Sequence, residues 1–161
     1  MKLKILSIGK ISKSPYETIS NHYIKSIQSI SKQTGITDFT VSEFNKSGDK
    51  NTELRKQKEF ELIKNKITID NSVNILLDEH GKSLSTMDMK LMIEKYTQGS
   101  KNELNFIIGG PDGTSDLFSE IITEKISLSR LTLPHLLARV LLLEQIFRSL
   151  TILINHPYHR E

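Results

Sequence analysis

Apolar residues change period several times along the chain, and the changes mark its elements. Leu3 to Gly9 ("LKILSIG") is a short apolar run stopped by glycine, the pattern of a buried strand. "SPYE" at 14–17 then places Ser at a cap, Pro at a first helical position and Glu three after the cap. Tyr16, Ile19, Tyr23, Ile27 and Ile30 follow at helical spacing, which predicts an amphipathic helix over 15–33. Residues 36–44 alternate and are β-branched, predicting a strand. A charged helix is expected over 52–65, with a weak stripe through Leu54, Phe60 and Ile63.

The second half repeats the theme. "VNILLDEHGK" (73–82) reads as a buried strand, and Ser85 with Asp88 has capping-box spacing for a helix carrying Met89, Met92, Ile93 and Tyr96 on one face. That methionine stripe is expected to be core. "LNFIIGGPDG" (104–113) is a third buried strand running into a glycine turn, followed by a predicted helix near 115–124. "ISLSRLTLPH" (126–135) is extended up to Pro134, and a nearly all-apolar helix runs from 134 to about 150. Buried strands alternating with helices predict an α/β fold: one domain over 1–161, with a parallel or mixed sheet covered by helices on both faces. Ligands of such folds bind outside the carboxyl ends of the strands, and Gly9, Gly81, Gly109 and Gly110 are expected along that rim.

Composition narrows the chemistry. The 161 residues include no cysteine, which removes disulfides, thiolate metal sites and any attack by a Cys nucleophile. No apolar run is long enough for a bilayer, and the N-terminus lacks a signal-peptide pattern, so a cytoplasmic protein is expected. The net charge of +3 is unevenly spread: residues 1–33 carry +5, 34–124 carry −5, and 125–161 carry +3. Two basic ends brought together would attract a phosphate backbone; scattered surface lysines fit the charge alone equally well.

Three stretches carry candidate chemistry. "GGPDG" is neither a P-loop nor G-x-G-x-x-G, but glycines after a strand let a ligand approach the backbone. "LSRLTL" mixes Leu128, Leu131 and Leu133 with Ser129, Arg130 and Thr132, as a segment wrapped round a half-apolar ligand would. His135 and Arg139 put cations in the first turns of the last helix, against its dipole, so Arg139 needs an anionic partner: RNA, or an acid elsewhere in the fold. Glu144 and Arg148 have the spacing of a surface salt bridge. The tail "NHPYHRE" holds two of the five histidines. Pro157 breaks the helix that would align His156 and His159, and no acid sits at ligand spacing, so no metal is expected. Tyr158 can stack on a base, His159 can exchange a proton and Arg160 can pair a phosphate.

Taken together, "IIGGPDG", "ISLSRLTLPH" leading into "RVLLLEQIFR", and "NHPYHRE" closely resemble the ribosomal RNA large-subunit methyltransferase H family. These are SPOUT-class enzymes that methylate N3 of a pseudouridine in 23S rRNA. The resemblance covers nearly the whole chain. It implies an α/β fold whose C-terminal part forms a deep trefoil knot, S-adenosylmethionine as cofactor, a homodimer, and action on the assembled ribosome. It further implies a cofactor site of Leu77, Gly109, Leu128, Ser129, Arg130, Leu131, Thr132 and Leu133. The candidates on the reacting side are Tyr158, positioning the base, with His159 and Arg160 as base or charge stabiliser; Arg139 and His135 are candidates for contact with RNA. Gly109→Val is expected to block the cofactor by filling its space. A different class stays open: an RNA-binding module of the ribosome that does not catalyse.

Overall fold

The computed structural model describes residues 1–160; Glu161, the final residue of the tail motif, lies outside the described residues. Five strands form one sheet: β1 (Lys2–Ile8), β2 (Asp38–Phe44), β3 (Ser72–Ser83), β4 (Glu103–Ile108) and β5 (Glu124–Ser127). Their order is β2-β1-β4-β3-β5, and every neighbouring pair is parallel. The helices are α1 (Glu17–Ile30), α2 (Thr52–Lys64), α3 (Thr86–Thr97) and α4 (His135–Leu153).

Pairing register explains the apolar runs. Leu3, Leu104 and Val73 lie side by side across β1, β4 and β3, and Ile5, Phe106 and Ile75 form the next row. Both rows face α1, α3 and α4. One position along, Leu6, Ile107 and Leu76 face the opposite side, where Phe60 and Ile63 of α2 and Phe118 cover them. Strands buried on both faces need this continuous apolarity, each full burial of such a side chain being worth about 1.5–3 kcal/mol. Met89, Met92 and Ile93 enter the same core from α3, whose capping box of Ser85 and Asp88 forms as expected. Tyr96 donates to Glu124 at 2.5 Å, and burial beside that carboxylate pushes its phenol up to about 12.

Two elements depart from expectation. α1 starts at Glu17, because Ser14 and Glu17 close a turn first: Ser14 Oγ accepts from Tyr16 N–H and Glu17 accepts from Lys13 N–H. The helix expected near 115–124 is only a 3-10 turn, Asp116–Glu120. Asn74 of β3 captures the chain after it. Its side chain donates to Ile121 O at 2.8 Å, its N–H donates to Thr123 Oγ1, and its carbonyl accepts from Thr123 N–H at 2.7 Å. Residues 124–127 are thereby delivered to the sheet as β5.

Candidate active site

All five strands run the same way, so the chain leaves β3, β4 and β5 along one edge of the sheet. A cavity of about 570 Å³ opens there, within the usual size range of small-molecule sites. Its walls come from the end of the buried part of β3, the glycine turn after β4, the segment after β5, and the first turn of α4. Leu77, Gly109, Leu128, Ser129, Leu131, Thr132, Leu133 and His135 all line it. Arg130 does not; its side chain is exposed to solvent outside the cavity.

Local hydrogen bonds shape these walls. Ser127 Oγ donates to Ser129 O, and Ser129 Oγ accepts from Leu131 N–H at 2.9 Å. This pair of hydroxyl turns holds the leucine segment out of both helix and sheet and leaves Leu131 75% exposed beside the cavity. In the glycine turn, Gly113 N–H bonds Gly110 O at 3.1 Å, with Gly113 at φ +84°. A Cβ on Gly109 would lie 2.4 Å from the Thr114 methyl group. A side chain at Gly109 would therefore meet the Thr114 methyl of its own turn as well as the cavity that Gly109 lines.

The other glycines separate. A Cβ on Gly9 would lie 3.1 Å from His135 Nε2, so Gly9 admits that imidazole to the cavity edge. Gly81 is not on the rim: its missing Cβ makes room for the Ile126 backbone, which would otherwise be 2.6–2.8 Å away. Residues that the motifs did not single out also line the cavity. Asp78 and Glu79 follow β3's apolar run; Glu79 accepts from Thr132 Oγ1 at 3.4 Å, and Asp78 pairs Lys125 at 3.6 Å. The signal was the "DE" step out of "VNILL", acid where a buried strand reaches its carboxyl end.

His135 and Arg139 differ from their expected role. Burial, then the nearby Lys46 and Arg139 cations, hold the His135 imidazole below its ordinary value. Arg139 is 1% exposed; it donates to Gly9 O and forms an ion pair with Glu43. Its anionic partner is an acid of β2, not RNA, and the expected Arg139 contact with RNA is withdrawn. His135 faces the cavity rather than an outer RNA surface.

The tail is ordered by the end of α4. Asn155 takes φ +54°, and its N–H bonds Ile152 O while His156 N–H bonds Thr151 O. This is a Schellman stop, in which Asn supplies the left-handed residue and explains its place in the motif. His156 Nδ1 accepts from Tyr158 N–H and turns the chain back. Tyr158 then packs edge-on against Phe147 at 4.7 Å between ring centres, with the Arg148 guanidinium 4.8 Å over its ring. Its hydroxyl meets Glu144 at 3.2 Å and Tyr23 at 3.5 Å. Burial, the Tyr23 hydroxyl and the Glu144 carboxylate push this phenol well above its ordinary value. Tyr158 is thus an anchor with an occupied ring and hydroxyl, not a free stacking face. Glu144 and Arg148, which looked like a surface pair, are its clamp.

Among the described residues of one chain, the tail and the cavity do not meet. Glu144 follows His135 by nine residues, about two and a half helical turns, which puts them roughly 14 Å apart along α4 and on opposite sides of it. Among the described residues no group of His, Asp and Glu is arranged to hold a metal ion, and no helix is long and apolar enough to cross a membrane.

Comparison with known proteins shows the family of the chain. The family model described as "Predicted SPOUT methyltransferase" matches residues 1–159. Ribosomal RNA large subunit methyltransferase H of Phocaeicola vulgatus is 34% identical over 165 residues, covering the whole of both chains. The proteins of the same name from Agrobacterium fabrum and Sinorhizobium medicae are 31% and 30% identical over 160 residues, 99% of each chain. The chain belongs to the SPOUT methyltransferases, in the ribosomal RNA large subunit methyltransferase H family.

Proposed function

We propose that this protein transfers a methyl group from S-adenosylmethionine to N3 of a pseudouridine in 23S rRNA of the assembled ribosome. The observation that carries the reading is the cavity at the strand ends: leucines, a glycine turn and carboxylates converge there in a chain matched over its full length by this family. S-adenosylmethionine supplies an electrophilic methyl group on a sulfonium. Leu77, Leu128 and Leu133 suit the flat adenine, the exposed polar backbone of 128–133 suits its edge, and Asp78 and Glu79 suit the cofactor's positive charges. Ser127 and Ser129 keep that segment open, and Gly109 lets the turn close beside it.

The target nitrogen lies between two carbonyl groups and must lose its proton to attack. His159 and Arg160 are the groups assigned to that side of the reaction, with Tyr158 securing the tail that carries them. The cavity edge and this tail lie on opposite sides of α4, and Leu136, Leu137, Val140 and Leu141 leave an incompletely covered apolar strip on that helix. Both features support a homodimer in which one chain's tail completes the other's cavity. A single domain over 1–161, a trefoil knot through the segments around the cavity and a cytoplasmic location belong to the same reading; they are supported by the family match and the all-parallel sheet.

Mass mapping of ribosomal RNA from cells lacking the protein tests this. The methylated pseudouridine is expected to revert to unmethylated pseudouridine. Its persistence sinks the assignment. Loss of ribosome maturation with no cofactor binding, in the isolated protein or with ribosomes, supports a non-catalytic RNA-binding module instead.

A further inference from the structure

Arg148 is committed on almost every side. Its Nε and Nη2 donate to Glu144 Oε1 at 2.8 and 2.5 Å, and its plane covers the Tyr158 ring. The second Glu144 oxygen accepts from Gln145 at 2.6 Å, so the carboxylate is also held. One guanidinium nitrogen remains, Nη1, and it lies 3.4 Å from His159 Nδ1. A guanidinium has five donors and no acceptor, and pairing with Glu144 holds Arg148 still further into its charged range. The imidazole nitrogen that faces it must therefore offer a lone pair. An imidazolium has none, so the contact requires the neutral ring with its proton on the other nitrogen. With Nδ1 accepting from Arg148, the proton sits on Nε2, the nitrogen turned away from the guanidinium.

We propose that Arg148 is a positioning residue that fixes His159 as the Nε2–H tautomer, so that His159 serves the target base as a hydrogen-bond donor and not as a proton acceptor. This rests on the methyl-transfer reading above. The ring has no free lone pair to take the N3 proton. Instead, the N3–H bond breaks with the proton passing to water, and the electron pair left on N3 spreads onto the two flanking carbonyl oxygens. The His159 Nε2–H bonds one of them and stabilises the anion. N3 then forms its bond to the methyl carbon as the carbon–sulfur bond breaks, and the sulfur keeps that electron pair as a neutral thioether. Donors aimed at developing oxyanion charge are worth about 100- to 1,000-fold in rate.

Side-chain chemistry separates the two roles, because glutamine donates a hydrogen bond but is no base. Three measurements are needed: kcat for methyl transfer to ribosomes, cofactor affinity by calorimetry, and long-range 15N–1H spectra of histidine-labelled full-length protein. His159→Gln is expected to keep kcat within about tenfold of the parent, while His159→Ala loses about 100-fold. Neither should change cofactor affinity. The His159 signals of the parent should report the Nε2–H tautomer, and Arg148→Met should release the ring to a mixture of both. A His159→Gln variant as inactive as His159→Ala overturns the donor role and makes His159 a base. An Nδ1–H tautomer in the parent overturns the role of Arg148 whether or not ribosomes are methylated. If the parent itself transfers no methyl group while the tautomer is as expected, the functional reading fails and takes the donor role with it.

Discussion

Arg139 carries a charge into the interior, and its partner does not share its burial. Glu43 keeps 27% of its side chain exposed against 1% for Arg139. Removing the carboxylate strands a buried cation, whereas removing the cation leaves an acid that can turn to water. Glu43→Ala is therefore expected to cost about 3 kcal/mol or more of stability, and Arg139→Met distinctly less. Urea unfolding of both variants checks this; equal losses would show that burial does not set the asymmetry. His135 gives a second prediction, because its folded-state pKa is depressed from the ordinary 6.5. The unfolded chain then binds more protons at mildly acid pH. The contribution of neutral His135 is fully present above that ordinary value and is lost as pH falls towards the folded-state value. His135→Gln should flatten the decline in stability between about pH 7 and 5. An unchanged profile would assign the decline to other groups. Both side chains stood out in the sequence as cations at a helix start, but nothing local named Glu43, 96 positions away, as the partner.

At the scale of elements, β3 and β5 pair in parallel with one close backbone approach between them. Their register shifts between Leu77 and Lys82, and Gly81 lets the Ile126 backbone through. Gly81→Ala must push β5 away and is expected to cost about 3 kcal/mol, against about 1 kcal/mol for Ser85→Ala, which removes only the α3 cap. Denaturant midpoints of the two variants test the order; a mild Gly81→Ala would mean that β5 yields freely. The strands and α3 were legible because their signals are local: continuous apolar runs bounded by glycine, and Ser and Asp three apart. The segment 115–124 was not, because its helical pattern is overruled by Asn74, more than 40 residues upstream. The tail was legible as a motif but not as a conformation. Its Asn reads as polar decoration until α4 is seen to need a left-handed stop.

The molecule as a whole sets the cavity at one side of α4 and the tail at the other. Sequence pattern identified both regions but not their separation, which depends on where α4 lies between α1 and α3. A shared site in a homodimer makes a specific prediction. A chain lacking Tyr158 to Glu161 and a chain with Gly109→Val should each be inactive, yet mixing them under conditions of subunit exchange should restore part of the activity. The hybrid has one intact cavity facing one intact tail. Continued inactivity of a demonstrated hybrid would place both parts of each site in one chain. The central claim is methyl transfer itself, and it is most directly tested by incubating the purified protein with ribosomes from cells that lack it and methyl-labelled S-adenosylmethionine, then mapping the 23S rRNA by mass. The label is expected on N3 of a single pseudouridine. Label on another nucleotide, or none at all, would contradict the account.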